Sequence, residues 1–421
     1  MKLGELRDKK IIILGFGVEG KATLRFLKHY FPEKEIGITD QKDGPGYLEK
    51  LKNYDLVIKT AGIPKRMIAN YSYTTATNIF FANTKGKIIG VTGSKGKSTT
   101  ASLIFDCLKS AGFDAKLVGN IGTPMLDELL VPEPKERLYV CELSSYQLED
   151  LNYSPHISVF INFFPDHLDY HEGIERYWSA KKNILAHATK KDYFVYNPEY
   201  KKLAALARKT KTHTVPFVKT LPFSEKAIPL LGKHNILNVR AAVTVARILK
   251  VKDEAVEKAV RAFKSLPHRL EKVGEFKGII FYDDAISTTP ESTIAGLEAL
   301  SNVGTVFLGG TDRGYDFDEL ARKIFEKNVS NLVLFPESGE SILKSVRKIA
   351  KKNGKVPPRI LETKNMKEAV EFAYVNTPKG AICLLSTASP SYSLWKNFEE
   401  KGDLFQQFVK EGIQNHLMNG I

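Results

Sequence analysis

The residues Ile88-Ile89-Gly90-Val91-Thr92-Gly93-Ser94-Lys95-Gly96-Lys97-Ser98-Thr99-Thr100 lead an apolar run of β type into glycines and then a Gly-Lys-Ser step. A strand, a glycine turn and a helix N-terminus in that order suit a polyphosphate. The turn lets backbone N–H groups close around phosphate oxygens, and the helix dipole adds partial positive charge. In such a loop Lys97 reaches the β- and γ-phosphates, and the Ser98 hydroxyl holds Mg²⁺. The strict Gly-x4-Gly-Lys-Ser/Thr spacing is not met, because Gly93 is too close to Gly96 and Gly90 is one residue too far. A plain glycine-rich turn with a surface lysine is the alternative. The hydroxyl run after the lysine favours a nucleotide.

Other polar groups also follow apolar runs. Glu142, in Cys141-Glu142-Leu143-Ser144-Ser145, stands at a strand end, where a phosphate-loop enzyme holds Mg²⁺ with a carboxylate; helix capping is the alternative. Asn162-Phe163-Phe164-Pro165-Asp166-His167-Leu168-Asp169 ends another strand, and Lys181 follows on a helix after Tyr177. Imidazole beside carboxylate binds a metal or orients a substrate carboxylate. His234-Asn235-Ile236-Leu237-Asn238 opens a helix whose first residues reach a nucleotide or merely cap it. Arg269, in Leu266-Pro267-His268-Arg269, either clamps phosphate or makes a salt bridge between domains. Asp283-Asp284 with Ser287-Thr288-Thr289, Gly309 to Arg313, and Ser386 to Ser391 end three more strands, which suggests one shared site.

Near the start, Gly15-Phe16-Gly17-Val18-Glu19-Gly20 matches GxGxxG, and Asp40 follows about 20 positions later, where a Rossmann fold holds a ribose. This fingerprint alone also fits a plain βαβ turn, and a nucleotide diphosphate suits it as well as NAD does.

Strands are expected at 10–14, 36–40, 55–59 (with Thr60 to Pro64, including Gly62, as its terminal loop), 138–141, 158–161, 278–282, 303–308, 331–335 and 381–385. Helical periodicity runs over 174–188, 237–249 and 338–351. Alternating strands and helices make an α/β fold with mostly parallel sheets and ligands at the strands' C-terminal ends. A chain of 421 residues exceeds one ordinary core. The expected divisions are 1–85, 86–266 and 267–421, the last near Ser265-Leu266-Pro267.

With 43% apolar and 26% charged residues the composition is that of a globular soluble chain. No apolar run approaches the ~20 residues that span a bilayer, and Met1 to Asp8 lacks a signal-type apolar core. Three scattered cysteines make neither a disulfide framework nor a zinc site, so a cytoplasmic location is expected. The net charge of +14 is spread over residues 1–266 without a basic block, and nucleic acid is not an expected partner.

Read in order, Thr92-Gly93-Ser94-x-Gly96-Lys97-Ser98, Gly119-Asn120-Ile121-Gly122, Glu142-Leu143-Ser144-Ser145, Asp166-His167, His234-Asn235-x-x-Asn238, Pro267-His268-Arg269 and Lys396-Asn397-Phe398-Glu399 resemble the Mur ligase family across essentially the whole chain. The resemblance implies three domains: a Rossmann-like N-terminal domain (1–85), a central P-loop ATPase-like domain (86–266) and a Rossmann-like C-terminal domain (267–421). It implies an ATP-dependent amide ligase of the branch that adds glutamate to UDP-N-acetylmuramoyl-L-alanine through an acyl phosphate, acting as a monomer.

By the same resemblance, Gly15, Gly17, Val18, Glu19, Asp40 and Gly62 serve UDP. Gly93, Ser94, Gly96, Lys97, Ser98, Thr99, Asn238, Arg269 and Asp284 serve ATP. Asn120 lies near the acyl substrate. Ser98, Glu142 and His167 hold two Mg²⁺ ions, and Lys181 matches a carbamylated lysine that acts as an anionic metal ligand. Thr288, Arg313, Ser391, Tyr392 and Phe398 match glutamate-site positions. The chain departs from the pattern at Lys95, where the family has Asn, and at Ile286, where D-glutamate-adding members have Lys; Arg313 falls near another such lysine. These departures bear on D- against L-glutamate, with D favoured. A sibling ligase that adds another amino acid or extends folate is the second reading. A nucleotide-gated binding module and an NAD-dependent dehydrogenase leave more of these residues unexplained.

Overall fold

The computed structural model describes residues 1–166 and 168–417, with the backbone alone at 168, 169 and 413–417. It divides into two compact units, one of residues 1–229 and 234–263, the other of residues 230–233 and 264–421.

The first unit holds two sheets. In the first, β1 (Ile11–Leu14), β2 (Ile36–Thr39), β3 (Leu56–Lys59) and β4 (Tyr73–Thr75) run parallel in the order β2-β1-β3-β4. Ile11, Ile12, Ile13 and Leu14 are all buried, as expected of a strand covered on both faces. The second comprises β5 (Lys87–Thr92), β6 (Ala115–Gly119), β7 (Leu138–Glu142), β8 (Ile157–Phe160), β9 (Tyr193–Tyr196) and β10 (His213–Pro216). It is parallel throughout, in the order β10-β9-β8-β5-β7-β6, so the strand that feeds the phosphate loop is central.

One apolar cluster joins the two sheets. Ile11, Phe26 and Ile58 pack with Ile88, Tyr139 and Phe160. A charged pair sits beside it: Lys59 Nζ lies 2.6 Å from Asp150 Oδ2, with both side chains out of solvent. Lys59 also donates to Ile63 O, Tyr73 donates its hydroxyl to Asp150 Oδ1, and Asn78 Nδ2 donates to Asp150 O.

In the second unit the strands are β11 (Glu271–Phe276), β12 (Ile279–Asp283), β13 (Val303–Gly309), β14 (Asn331–Phe335), β15 (Arg359–Glu362) and β16 (Ile382–Leu385). Their order is β11-β12-β16-β13-β14-β15, with β11 antiparallel and the other pairings parallel. β12, β16 and β13 are neighbours, so the polar residues after them come out side by side.

The strands foreseen from apolar runs are present, with ends moved by at most one residue. Gly278, expected to open a strand, instead lies in the turn of the β11–β12 hairpin. Lys277 (φ +53°) and Gly278 (φ +77°) both adopt the left-handed region that a two-residue turn requires. The strands not foreseen are β4, β6, β9, β10, β11 and β15, and all but β9 lie at sheet edges. The helix expected over 174–188 ends at Lys182, where Asn183 Nδ2 turns to the carbonyls of Leu148 and Leu151 and a 3-10 turn follows. The helix expected from Leu237 starts at Lys233. Among the described residues no helix is long and apolar enough to cross a membrane.

Candidate active site

β5 ends at Thr92 and the helix Lys97–Ser110 begins four residues beyond Gly93. Gly96 has φ +85°, and a Cβ there would meet Asn238 Oδ1 at 2.6 Å, so both its conformation and its space call for glycine. Asn238 is buried on this loop: its Oδ1 accepts from Thr100 Oγ1 and its Nδ2 donates to Asn235 Oδ1. Lys97 folds its amine back onto Gly93 O (3.1 Å) and Ser94 O (3.0 Å). Ser98, half-buried, and Thr99, buried, are in the first turn of the helix.

Loop 162–166 is stapled to this turn. Ser94 N donates to Asn162 O, Lys95 N donates to Asn162 Oδ1, and Asn162 Nδ2 donates to Lys95 O. The Ser94 hydroxyl donates to Phe164 O (2.8 Å) and accepts from Phe164 N and the Tyr177 hydroxyl (3.1 Å each). Both the hydroxyl and the N–H of Ser94 are therefore spent on holding the loop. Lys95 Nζ lies 3.3 Å from Asp166 Oδ2.

Parallel register brings Glu142 to the same edge, level with Val91 of β5 and Gly119 of β6. Asn120, the next residue after β6, donates its N–H to Glu142 O. Glu142 is 4% exposed, and its Oε2 has no hydrogen-bond partner among the described residues. A buried carboxylate oxygen without a donor, on the same edge as the Ser98 hydroxyl, is a hard oxygen set that fits a divalent cation such as Mg²⁺.

Lys181, 1% exposed on the helix Ile174–Lys182, donates to Gly93 O (2.8 Å) and sits 4.9 Å above the Tyr177 ring. None of the described carboxylates forms an ion pair with it. Burial pulls its amine well below the ordinary lysine value and Lys97 adds to this, while Asp166 and Glu142 oppose it. The expectation for His167 lies outside the described residues.

The first glycine turn has the same shape and different neighbours. Gly15 (φ +92°) bonds to Thr39 O, and a Cβ on Gly20 would lie 2.1 Å from Gly15 O. Asp40 accepts from Phe16 N (2.6 Å) and Lys42 N (3.1 Å), bonds that hold its carboxyl below the usual range. Glu19 accepts from Ala61 N, and burial raises its carboxyl. Val18 and Glu19 line a cavity of about 280 Å³ together with Asn120, Thr77 and Gln147. Gly17 is exposed and open, and Gly62 likewise has free space around its Cα.

In the second unit, Asp284 is buried, which raises its carboxyl to about 6. Its oxygens accept from Leu270 N and Ser386 Oγ, so it fixes the chain just after Arg269. The three polar strand ends are tied together: Gly309 N donates to Thr387 O, Thr311 N to Pro390 O, and Ala388 N to Ser287 O. Thr288 is half-buried beside Ser287. Ser391 is buried, and its hydroxyl has no partner among the described residues. Tyr392 and Arg313 are exposed, and the Phe398 ring lies edge-on to His268 at 6.1 Å. His268 (φ +58°) bonds through Nδ1 to Asp283 Oδ2 (2.7 Å), which raises its pKa.

Sequence reasoning missed Gln147 in the cavity, and Asn162 and Tyr177 as the staples of the phosphate loop. Each stands inside a stretch that was read for a neighbouring charged residue; an uncharged amide or phenol beside it carries no pattern of its own.

Residues 91–228 match the Mur ligase middle domain and residues 268–388 the Mur ligase glutamate ligase domain. The chain is 32% identical to the UDP-N-acetylmuramoylalanine–D-glutamate ligase of Acetivibrio thermocellus, over 96% of this chain and 97% of that one. It is 31% identical to the UDP-N-acetylmuramoyl-L-alanine–L-glutamate ligase of Salinispora tropica, over 98% and 99%. The fold is similar to the crystal structure of UDP-N-acetylmuramate-alanine ligase from Thermotoga maritima, with a TM-score of 0.62 at 17% identity over 97% of this chain and 100% of that one. Matched over nearly its whole length at more than 30% identity, this protein belongs to the Mur ligase family.

Proposed function

We propose that the chain is an ATP-dependent ligase that adds glutamate to UDP-N-acetylmuramoyl-L-alanine, a step of peptidoglycan precursor synthesis. The observation that carries this is end-to-end similarity above 30% to ligases of that name, supported by a lysine-bearing glycine loop that follows the strand paired with Glu142, whose buried carboxylate oxygen has no hydrogen-bond partner among the described residues. The reaction runs through an acyl phosphate. The alanyl carboxylate attacks the γ-phosphorus of ATP as the bond to ADP breaks, and the glutamate amine then displaces phosphate.

In this reading residues 1–85 hold the UDP end, with Val18 and Glu19 opening toward Asn120 and Gln147. Residues 86–266 hold ATP: backbone N–H groups of Gly96, Lys97 and Ser98 at the helix N-terminus face the phosphates, and Lys97 leaves the carbonyls of Gly93 and Ser94 for the β- and γ-phosphate oxygens. Residues 267–421 hold glutamate, with Thr288, Arg313, Ser391, Tyr392 and Phe398 around it and Arg269 and Asp284 on the nucleotide. Ser98 and Glu142 would hold Mg²⁺, which supplies positive charge where carboxylate and polyphosphate repel.

Lys181 is a buried amine that forms no ion pair with a carboxylate among the described residues, and a buried charge without such a pair is costly. A CO2 adduct would convert it into an anionic oxygen ligand facing the same loop. We take the chain to be a cytoplasmic monomer.

D-glutamate is the favoured amino acid, since D-glutamate ligases of Acetivibrio thermocellus, Caldanaerobacter subterraneus and Streptococcus pyogenes are all 31–32% identical to this chain. The full-length likeness to an L-glutamate ligase keeps the L-isomer as the second reading. Product analysis with D- and L-glutamate supplied separately decides between them, and ADP release with neither would overturn the assignment.

A further inference from the structure

The phosphate loop carries a lysine that the reading above leaves unused. Lys95 stands one residue before Gly96, and Asn162 holds both its N–H and its carbonyl at 3.0 Å, so its backbone is fixed and its side chain alone can move. Lys97 and Lys181 both turn their amines to carbonyls of the loop itself. The Lys95 side chain is 45% exposed, and its amine is held toward Asp166 at 3.3 Å. The pair is open to solvent at its lysine while the Asp166 side chain is 13% exposed, and at 3.3 Å it is longer than the charge-assisted bond that a phosphate oxygen offers.

We propose that Lys95 is a second phosphate-binding lysine, which exchanges Asp166 for the terminal phosphate when the nucleotide enters. This rests on the reading of the loop as an ATP site. In the exchange the γ-phosphate gains a cation from the rim of the loop besides Lys97.

The test is equilibrium binding of β,γ-imido-ATP and of ADP, each with Mg²⁺, to the full chain and to its Lys95→Met and Lys95→Arg variants. Lys95→Met should weaken the triphosphate about tenfold while ADP changes by less than about twofold, and Lys95→Arg should restore most of the loss. Equal weakening of both nucleotides would move the contact to an inner phosphate and overturn the proposal, as would no change in either. A wild-type chain that binds neither nucleotide would overturn the ATP reading itself, and this proposal with it.

Discussion

Gly15–Gly20 and Gly93–Lys97 are both strand–glycine–helix turns of one unit, and both use glycine where a left-handed residue or a close backbone contact leaves no room for a side chain. Their charges are opposite. The first is ringed by acid: Asp40 occupies the Phe16 N–H, and Glu19 stands in the first turn of the helix. The second is ringed by base, with Lys95, Lys97 and the buried Lys181 within the loop's own hydrogen bonds. Glycine spacing therefore reports a backbone shape, and the charged side chains around it decide what the shape receives. A polyphosphate in transfer belongs to the basic turn.

Four experiments break or sharpen that contrast. Lys97→Ala should lower the rate of substrate-dependent ADP release by about 10³-fold with little change in melting temperature; a variant retaining near-normal turnover would remove the basic turn from the chemistry. Lys181→Ala should lose about 10²-fold or more, and short carboxylic acids should return part of the activity by supplying the missing oxygen ligand. Full activity of the variant without such acids would rule out the adduct. On the acidic turn, Gly20→Ala drives a methyl into Gly15 O and should cost about 1–3 kcal/mol in urea unfolding, while ATP binding by the folded fraction stays unchanged.

The smallest effect concerns Asp40. Its carboxyl is lowered in the folded chain from an ordinary 3.8, so it binds protons less readily folded than unfolded. Its contribution is present above pH 4 and fades as the pH falls through the folded value. Asp40→Asn should lose stability at pH 6 and differ less from wild type near pH 3; equal deficits at both would show that the charge is not what matters.

Much of this was legible in the chain. Central strands such as Ile11–Leu14 and Val303–Gly309 announce themselves as apolar runs because both their faces are buried. Most edge strands do not: in β10 and β15 every residue remains partly or fully exposed, and pairing with a neighbour rather than composition makes them strands. The site follows the same division. Lys97, Glu142 and Lys181 stand out as charges after apolar runs, and parallel register brings the first two to one sheet edge. Asn162, Tyr177 and Gln147 act through bonds to residues tens of positions away or through a shared cavity, which no local pattern records.

The buried Lys59–Asp150 pair links the first sheet to the chain after β7, and neither partner can be hydrated where it stands. Removing one partner of such a pair costs about 3–5 kcal/mol, because the other is left as a bare charge in an apolar setting. A fragment cut after residue 85 would lose Asp150 together with Ile88, Tyr139 and Phe160, the apolar partners of the first sheet. The nucleotide-type lobe at the front of the chain is thus not a free-standing module, and in hydrogen exchange its strands should open together with the central sheet rather than before it.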